Sequence, residues 1–215
     1  MRKVMFSVFY RGLIPVVLVS LTAIAQAQVL EECGVLENAY GPFDYRTAER
    51  EAKVLVEERH FPAVVETLTA GSTGSLAADI DYTLRVFPNH PRALMAMTRL
   101  AEREKRAKAR GAGFSIACYF DRAIRFQPND REVRSVYGYY LLRAGDKRGA
   151  IRELERANEG GGTGSANVHY NLGLAYFDLG EFDKSLAEAH AAYRLGFPLP
   201  GLREKLKRAH KWRDT

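Results

Sequence analysis

The 215-residue chain reads as an all-α protein. Two observations carry that reading. From residue 44 onward, apolar residues recur three and four apart, with no sustained strand-type alternation. One helical hairpin also recurs at a fixed spacing, the signature of stacked repeats.

The clearest hairpin begins at Arg131. Val133, Val136, Tyr137, Tyr140, Leu141 and Ala144 form one stripe at helical spacing, and Ala150, Ile151, Leu154 and Ala157 form the next. Between them, Ala144-Gly145-Asp146 supplies a helix stop and the next N-cap. The pairs Gly138 and Gly173, Gly145 and Gly180, and Ala157 and Ala192 are each 35 residues apart. Small residues in register let facing helices approach closely, so each unit stacks on the next and extends one core. Upstream, Leu84 to Asn89 echoes Ile124 to Asn129 at an offset of 40, with the excess taken up around Lys105 to Gly113. Helices are expected near 46–59, 62–69, 76–87, 90–108, 115–127, 131–144, 147–158, 166–179, 182–195 and 201–211.

These units resemble the tetratricopeptide (TPR) family. Residues 166–197 match through Leu172-Gly173, Tyr176, Gly180, Phe182 and Ala192, and residues 131–162 through Tyr137-Gly138, Leu141, Gly145, Ala150, Leu154 and Ala157. The departures are His169 and Arg134 at the aromatic position, Ser185 for the first Ala of the second helix, and Gly162 and Phe197 for the closing Pro. The resemblance implies a right-handed α-solenoid: degenerate TPR-like hairpins over 45–128, two repeats over 131–197, and a C-terminal capping helix within 198–215. It also implies a groove lined by the first helix of each hairpin. Glu132, Ser135, Val136, Tyr139, Leu142 and Arg143 would face it in one unit, and Asn167, Tyr170, Asn171, Leu174, Phe177 and Asp178 in the next. Tyr139, Tyr170 and Phe177 would serve either as anchors for a partner or as packing between units. Asn171 stands where related proteins bond a bound peptide's backbone, but Val136 fills the matching position one unit earlier.

The N-terminus points to export. Arg2, Lys3 and Arg11 precede an apolar run from Leu13 to Ala25 that ends in Ala25-Gln26-Ala27, the form of a secretory signal cleaved after Ala27. An uncleaved anchor is the alternative, weakened by the short run and by Pro15. Leu30-Glu31-Glu32 before Cys33 argues against a lipid anchor, and nothing after Ala27 is apolar enough to span a bilayer. Losing the leader takes Lys and Arg from 32 to 29 (32 − 3) against 26 Asp and Glu, leaving +3, which does not suggest nucleic acid as the partner. In a periplasmic or secreted setting, Cys33 and Cys118 form a disulfide or remain as two thiols, one of them in an irregular segment over 28–44. Pairing would close a loop of about 85 residues and contribute roughly 4 kcal/mol in the chain-entropy model.

Catalytic and metal motifs are not found. The five histidines make no helical metal pair, although His169 and His190 could meet across a hairpin. Asp79 and Asp81 point about 200° apart on a helix, which suits capping or solvation. Gly160 to Ser165 lacks the strand and Lys of a phosphate loop and reads as a linker, and Gly71 to Ser75 reads as a loop. The sequence thus predicts a non-enzymatic exported adaptor, without cofactor or metal, that binds a protein or peptide segment in its groove. The alternative is an envelope protein that binds anionic cell-wall or membrane material through the basic stretches Arg103 to Arg110 and Arg203 to Arg213.

Overall fold

A computed structural model describes residues 33–159 and 165–214. The signal-type segment over 1–27, its cleavage point, and Gly160 to Gly164 therefore lie outside the described residues. The described residues form ten helices and no strand: α1 Arg50–His60, α2 Ala63–Glu66, α3 Leu76–Val86, α4 Pro91–Glu104, α5 Ile116–Phe126, α6 Arg131–Ala144, α7 Lys147–Asn158, α8 Ala166–Asp178, α9 Phe182–Arg194 and α10 Gly201–Arg208. None is long and apolar enough to cross a membrane. No described cysteine is free, and Cys33 and Cys118 are both disulfide-bonded.

Local chemistry sets most helix starts. The side chains of Ser75, Ser115, Asp146 and Ser165 each accept a first-turn amide of α3, α5, α7 and α8. Asp130 caps α6 by accepting from Glu132 N and Val133 N. His90 caps α4 through its ring, its Nδ1 accepting from Ala93 N at 3.2 Å, with Pro91 at the first helical position. Where the structure departs from the expected ranges, backbone conformation is the reason. α4 ends at Glu104 rather than 108 because Lys105 turns left-handed (φ 53), and residues 106–115 then form a loop. α2 closes after one turn, followed by Leu68 at φ 59. α10 stops at Arg208, with His210 at φ 56.

Successive helices pack on one another: α6 on α7, α7 on α8, α8 on α9, and α10 against α8 and α9. The recurrent glycines sit at the close approaches. A Cβ on Gly138 would lie 2.5 Å from Leu154 Cγ and 3.3 Å from the Ala150 carbonyl, and one on Gly173 would strike Leu202 and approach the Ser185 carbonyl. Ser185, in place of the family's Ala, donates its hydroxyl to the Gly173 carbonyl at 2.8 Å. Leu202 and Leu206 of α10 are fully buried.

Asp79 and Asp81 are buried, contrary to the solvated alternative. Their opposed directions serve two loops. The Asp79 carboxylate accepts the amides of Ser72, Thr73 and Gly74, the Thr73 hydroxyl, and a bond with His60 Nδ1. Asp81 accepts from Tyr119 Oη, Gly113 N and Arg85 Nε. Ahead of α1, the chain runs over the start of α4. Phe43 N donates to the Val86 carbonyl at 2.8 Å, and Tyr45 stacks on His90 with ring centroids 3.9 Å apart. Because His90 Nδ1 is an acceptor, the neutral ring carries its proton on Nε2 and donates it to Glu57 Oε1 at 3.0 Å.

Two predictions follow from this packing. Gly138→Ala, despite its better helix propensity, is expected to lower unfolding free energy by about 1–3 kcal/mol in urea denaturation, because fully buried Leu154 cannot retreat. Acid should also destabilise the fold in a defined window. The Arg46 guanidinium, with Asn89, holds the Asp44 carboxyl at about 2, below its ordinary 3.8. His90, with Tyr45 and Arg92, holds Glu57 at about 2, below 4.5. Both folded values lie below the unfolded ones, so this stabilisation is fully present above about pH 4.5 and disappears as pH falls towards 2. Urea midpoints measured across that window should fall, and less steeply in Glu57→Gln.

Candidate functional site

α4, α6 and α8 present the same face to a cavity of about 720 Å³. α4 contributes Arg92, Met95, Ala96 and Arg99, α6 contributes Glu132, Ser135, Val136 and Tyr139, and α8 contributes Asn167, Tyr170, Asn171 and Leu174. Each set is spaced 0, 3, 4 and 7, one side of a helix. The sets are also in register, 40 residues separating the first two and 35 the last two. Leu142 and Arg143 extend the α6 wall, while Phe197 and Leu199 close one end. The opposite side of α6, through Val133 and Gly138, is buried. Two apolar faces, one for packing and one for the cavity, explain why α6 reads as apolar on so much of its circumference.

Most of the wall is apolar, formed by Met95, Ala96, Val136, Tyr139, Leu142, Leu174 and Phe197. Leu199 is 59% exposed. Tyr170 stacks on Phe197 with centroids 3.9 Å apart and planes 20° from parallel. Burial raises its phenol above the ordinary value, with the Leu202 amide acting in the opposite direction. Tyr170 therefore both lines the cavity and ties α8 to the chain beyond α9. The polar complement is uneven. Arg92 is held by Glu57 and Glu66, and Arg143 reaches Glu102 at 3.2 Å. Arg99 makes no ion pair with a described residue, and the side-chain amides of Asn167 and Asn171 make no hydrogen bond with one. These groups retain capacity for donors and acceptors supplied from outside.

Of the residues expected at a groove, Tyr139, Leu142, Arg143, Asn167, Tyr170, Asn171 and Leu174 come together here, and Phe177 does not. Its ring lies edge-on to Phe182 at 5.4 Å, under Lys205 Nζ at 5.0 Å. Asp178 is likewise elsewhere, paired with Lys205 at 3.0 Å. The α4 wall and residues 197–199 were not anticipated. The Pro88-Asn89 and Pro128-Asn129 echo held the signal, because its offset of 40 maps the α6 lining residues onto Arg92, Met95, Ala96 and Arg99.

Other candidate chemistry is dispersed. His169 bonds Glu188 at 2.6 Å, whereas His190 meets the Arg213 carbonyl and the Trp212 ring, so the two histidines do not share a site. Among the described residues, no three His, Cys, Asp or Glu side chains are grouped to hold a metal. The basic stretches are largely used within the fold. Arg103 and Lys108 donate to the Leu68 and Gly113 carbonyls. Arg203 lies 4.4 Å over Tyr193, Lys211 covers Phe182, and Lys205 and Arg213 pair with Asp178 and Asp183. No protein-family model matches the chain, and no curated protein matches it.

Proposed function

We propose that this chain is an exported, non-catalytic adaptor of the TPR type, a right-handed solenoid that holds a segment of another protein in the cavity between α4, α6 and α8. The observation that carries this reading is the register of the lining: three helices turn the same face to one apolar cleft, where the Asn167 and Asn171 side-chain amides make no hydrogen bond with a described residue. Apolar and aromatic anchors supply most of the free energy in such sites, while amides fix the register of a bound backbone. A periplasmic or secreted location is supported by the signal-type N-terminal sequence, by both cysteines being disulfide-bonded, and by the lack of a membrane-crossing helix among the described residues. The competing reading, attachment to anionic wall or membrane material, has less support because Arg203, Lys205, Lys211 and Arg213 are engaged by aromatic rings or carboxylates.

A photo-crosslinking residue placed at position 139 in the cell envelope should capture discrete protein partners, and one at exposed position 148 should not. Asn171→Ala should weaken that capture by about tenfold or more while the unfolding midpoint stays near wild type. Raising salt should leave it largely intact, because apolar contacts are not screened. Identical products from both positions, or capture lost steeply with salt, would refute the cleft reading.

A further inference from the structure

The two ends of the helix array differ. α10 buries Leu202 and Leu206 completely, whereas the outward side of α1 leaves Val54 and Leu55 exposed at 38% and 54%. Single exposed apolar residues are ordinary, but Leu55, with Val54 about 100° round the same helix, sits between two uncompensated charges. Glu51 lies four residues before Leu55 and Arg59 four residues after it. Both are exposed, and neither forms an ion pair or side-chain hydrogen bond with a described residue.

We propose that this face of α1 is a two-fold contact with a second copy of the same chain. In a two-fold contact, one surface patch must complement itself. With α1 laid antiparallel on its counterpart and Leu55 at the axis, the residue four before Leu55 meets the residue four after it, about 6 Å along the helix from the centre. Glu51 then faces Arg59 of the second copy, and the symmetry repeats the pair on the other side. Glu58 falls opposite Ala52, so like charges do not meet. An unrelated partner would need no such symmetry of opposite charges about an apolar centre. One helix face buries less than the roughly 1,000 Å² of a stable interface, so the contact is a weak, concentration-dependent equilibrium.

Sedimentation of the full chain from about 10 μM to about 1 mM tests the assignment across the range expected for so small a contact. The weight-average mass should rise toward twice the monomer. Leu55→Asp should weaken association about tenfold or more with no change in unfolding midpoint, given its exposure. Glu51→Arg and Arg59→Glu should each weaken it, and the double variant should restore it. The charge series keeps the question decidable even if Leu55→Asp perturbs folding. A monomer at every concentration, undiminished association in Leu55→Asp, or a double variant no better than the singles would overturn the proposal.

Discussion

Asn89 is fully buried, and all three of its bonds reach across the fold. Its Nδ2 donates to Asp44 at 2.7 Å and to Asp130 at 2.8 Å, and its Oδ1 accepts Tyr45 N at 2.9 Å. One bond holds the cap of α6, and two hold the chain that precedes α1. Because Asn89 itself sits at the entrance to α4, this one amide sets the starts of α4 and α6 against each other. Two walls of the cavity depend on that setting. Few side chains could replace it. Asp would bring a third negative charge between Asp44 and Asp130, and an apolar residue would leave each of those carboxylates short of a donor, at about 1–3 kcal/mol per group.

From that point the remaining geometry follows by stacking. Gly138 lets α7 approach α6, and Gly173 lets α9 and α10 approach α8, so the third wall is held by close packing at small residues together with bonds between adjacent helices such as Ser185 to Gly173 and His169 to Glu188. The difference has a physical basis. Around α4 the chain crosses itself at the 43–46 segment, where backbone groups leave the solvent and must be bonded. Around α8, no loop has to be bonded over the helix starts, and close packing with side-chain bonds between adjacent helices suffices. Asn129 shows the same contrast: it repeats Asn89 in sequence but is exposed, with no segment of the described residues bonded over it as 43–46 is over Asn89.

The helical class and the hairpins from Arg131 onward were legible in the sequence because their determinants are local: caps, glycine turns and residues three and four apart. The residues of α6 and α8 that line the cavity came only from the resemblance to the repeat family. The α4 wall was obscured because Arg92 and Arg99 look like a solvated face when α4 is read alone. Asp79 and Asp81 are buried rather than solvated because their partners lie in loops whose paths depend on the whole fold. Phe177 illustrates the limit of positional analogy. It occupies a groove position in the repeat, yet Phe182 and Lys205 lie against its ring and it does not line the cavity. The end of α4 at Lys105 carries no Gly or Pro, so the sequence extends the helix to 108, past the left-handed turn.

The Asn89 amide fixes α4 against α6, and native-state hydrogen exchange on Asn89→Ala tests this most directly. Protection should fall at the first turns of α4 and α6 and across 43–46, with α8 and α9 retaining theirs. Equal loss in every helix, or full protection at those first turns, would contradict it.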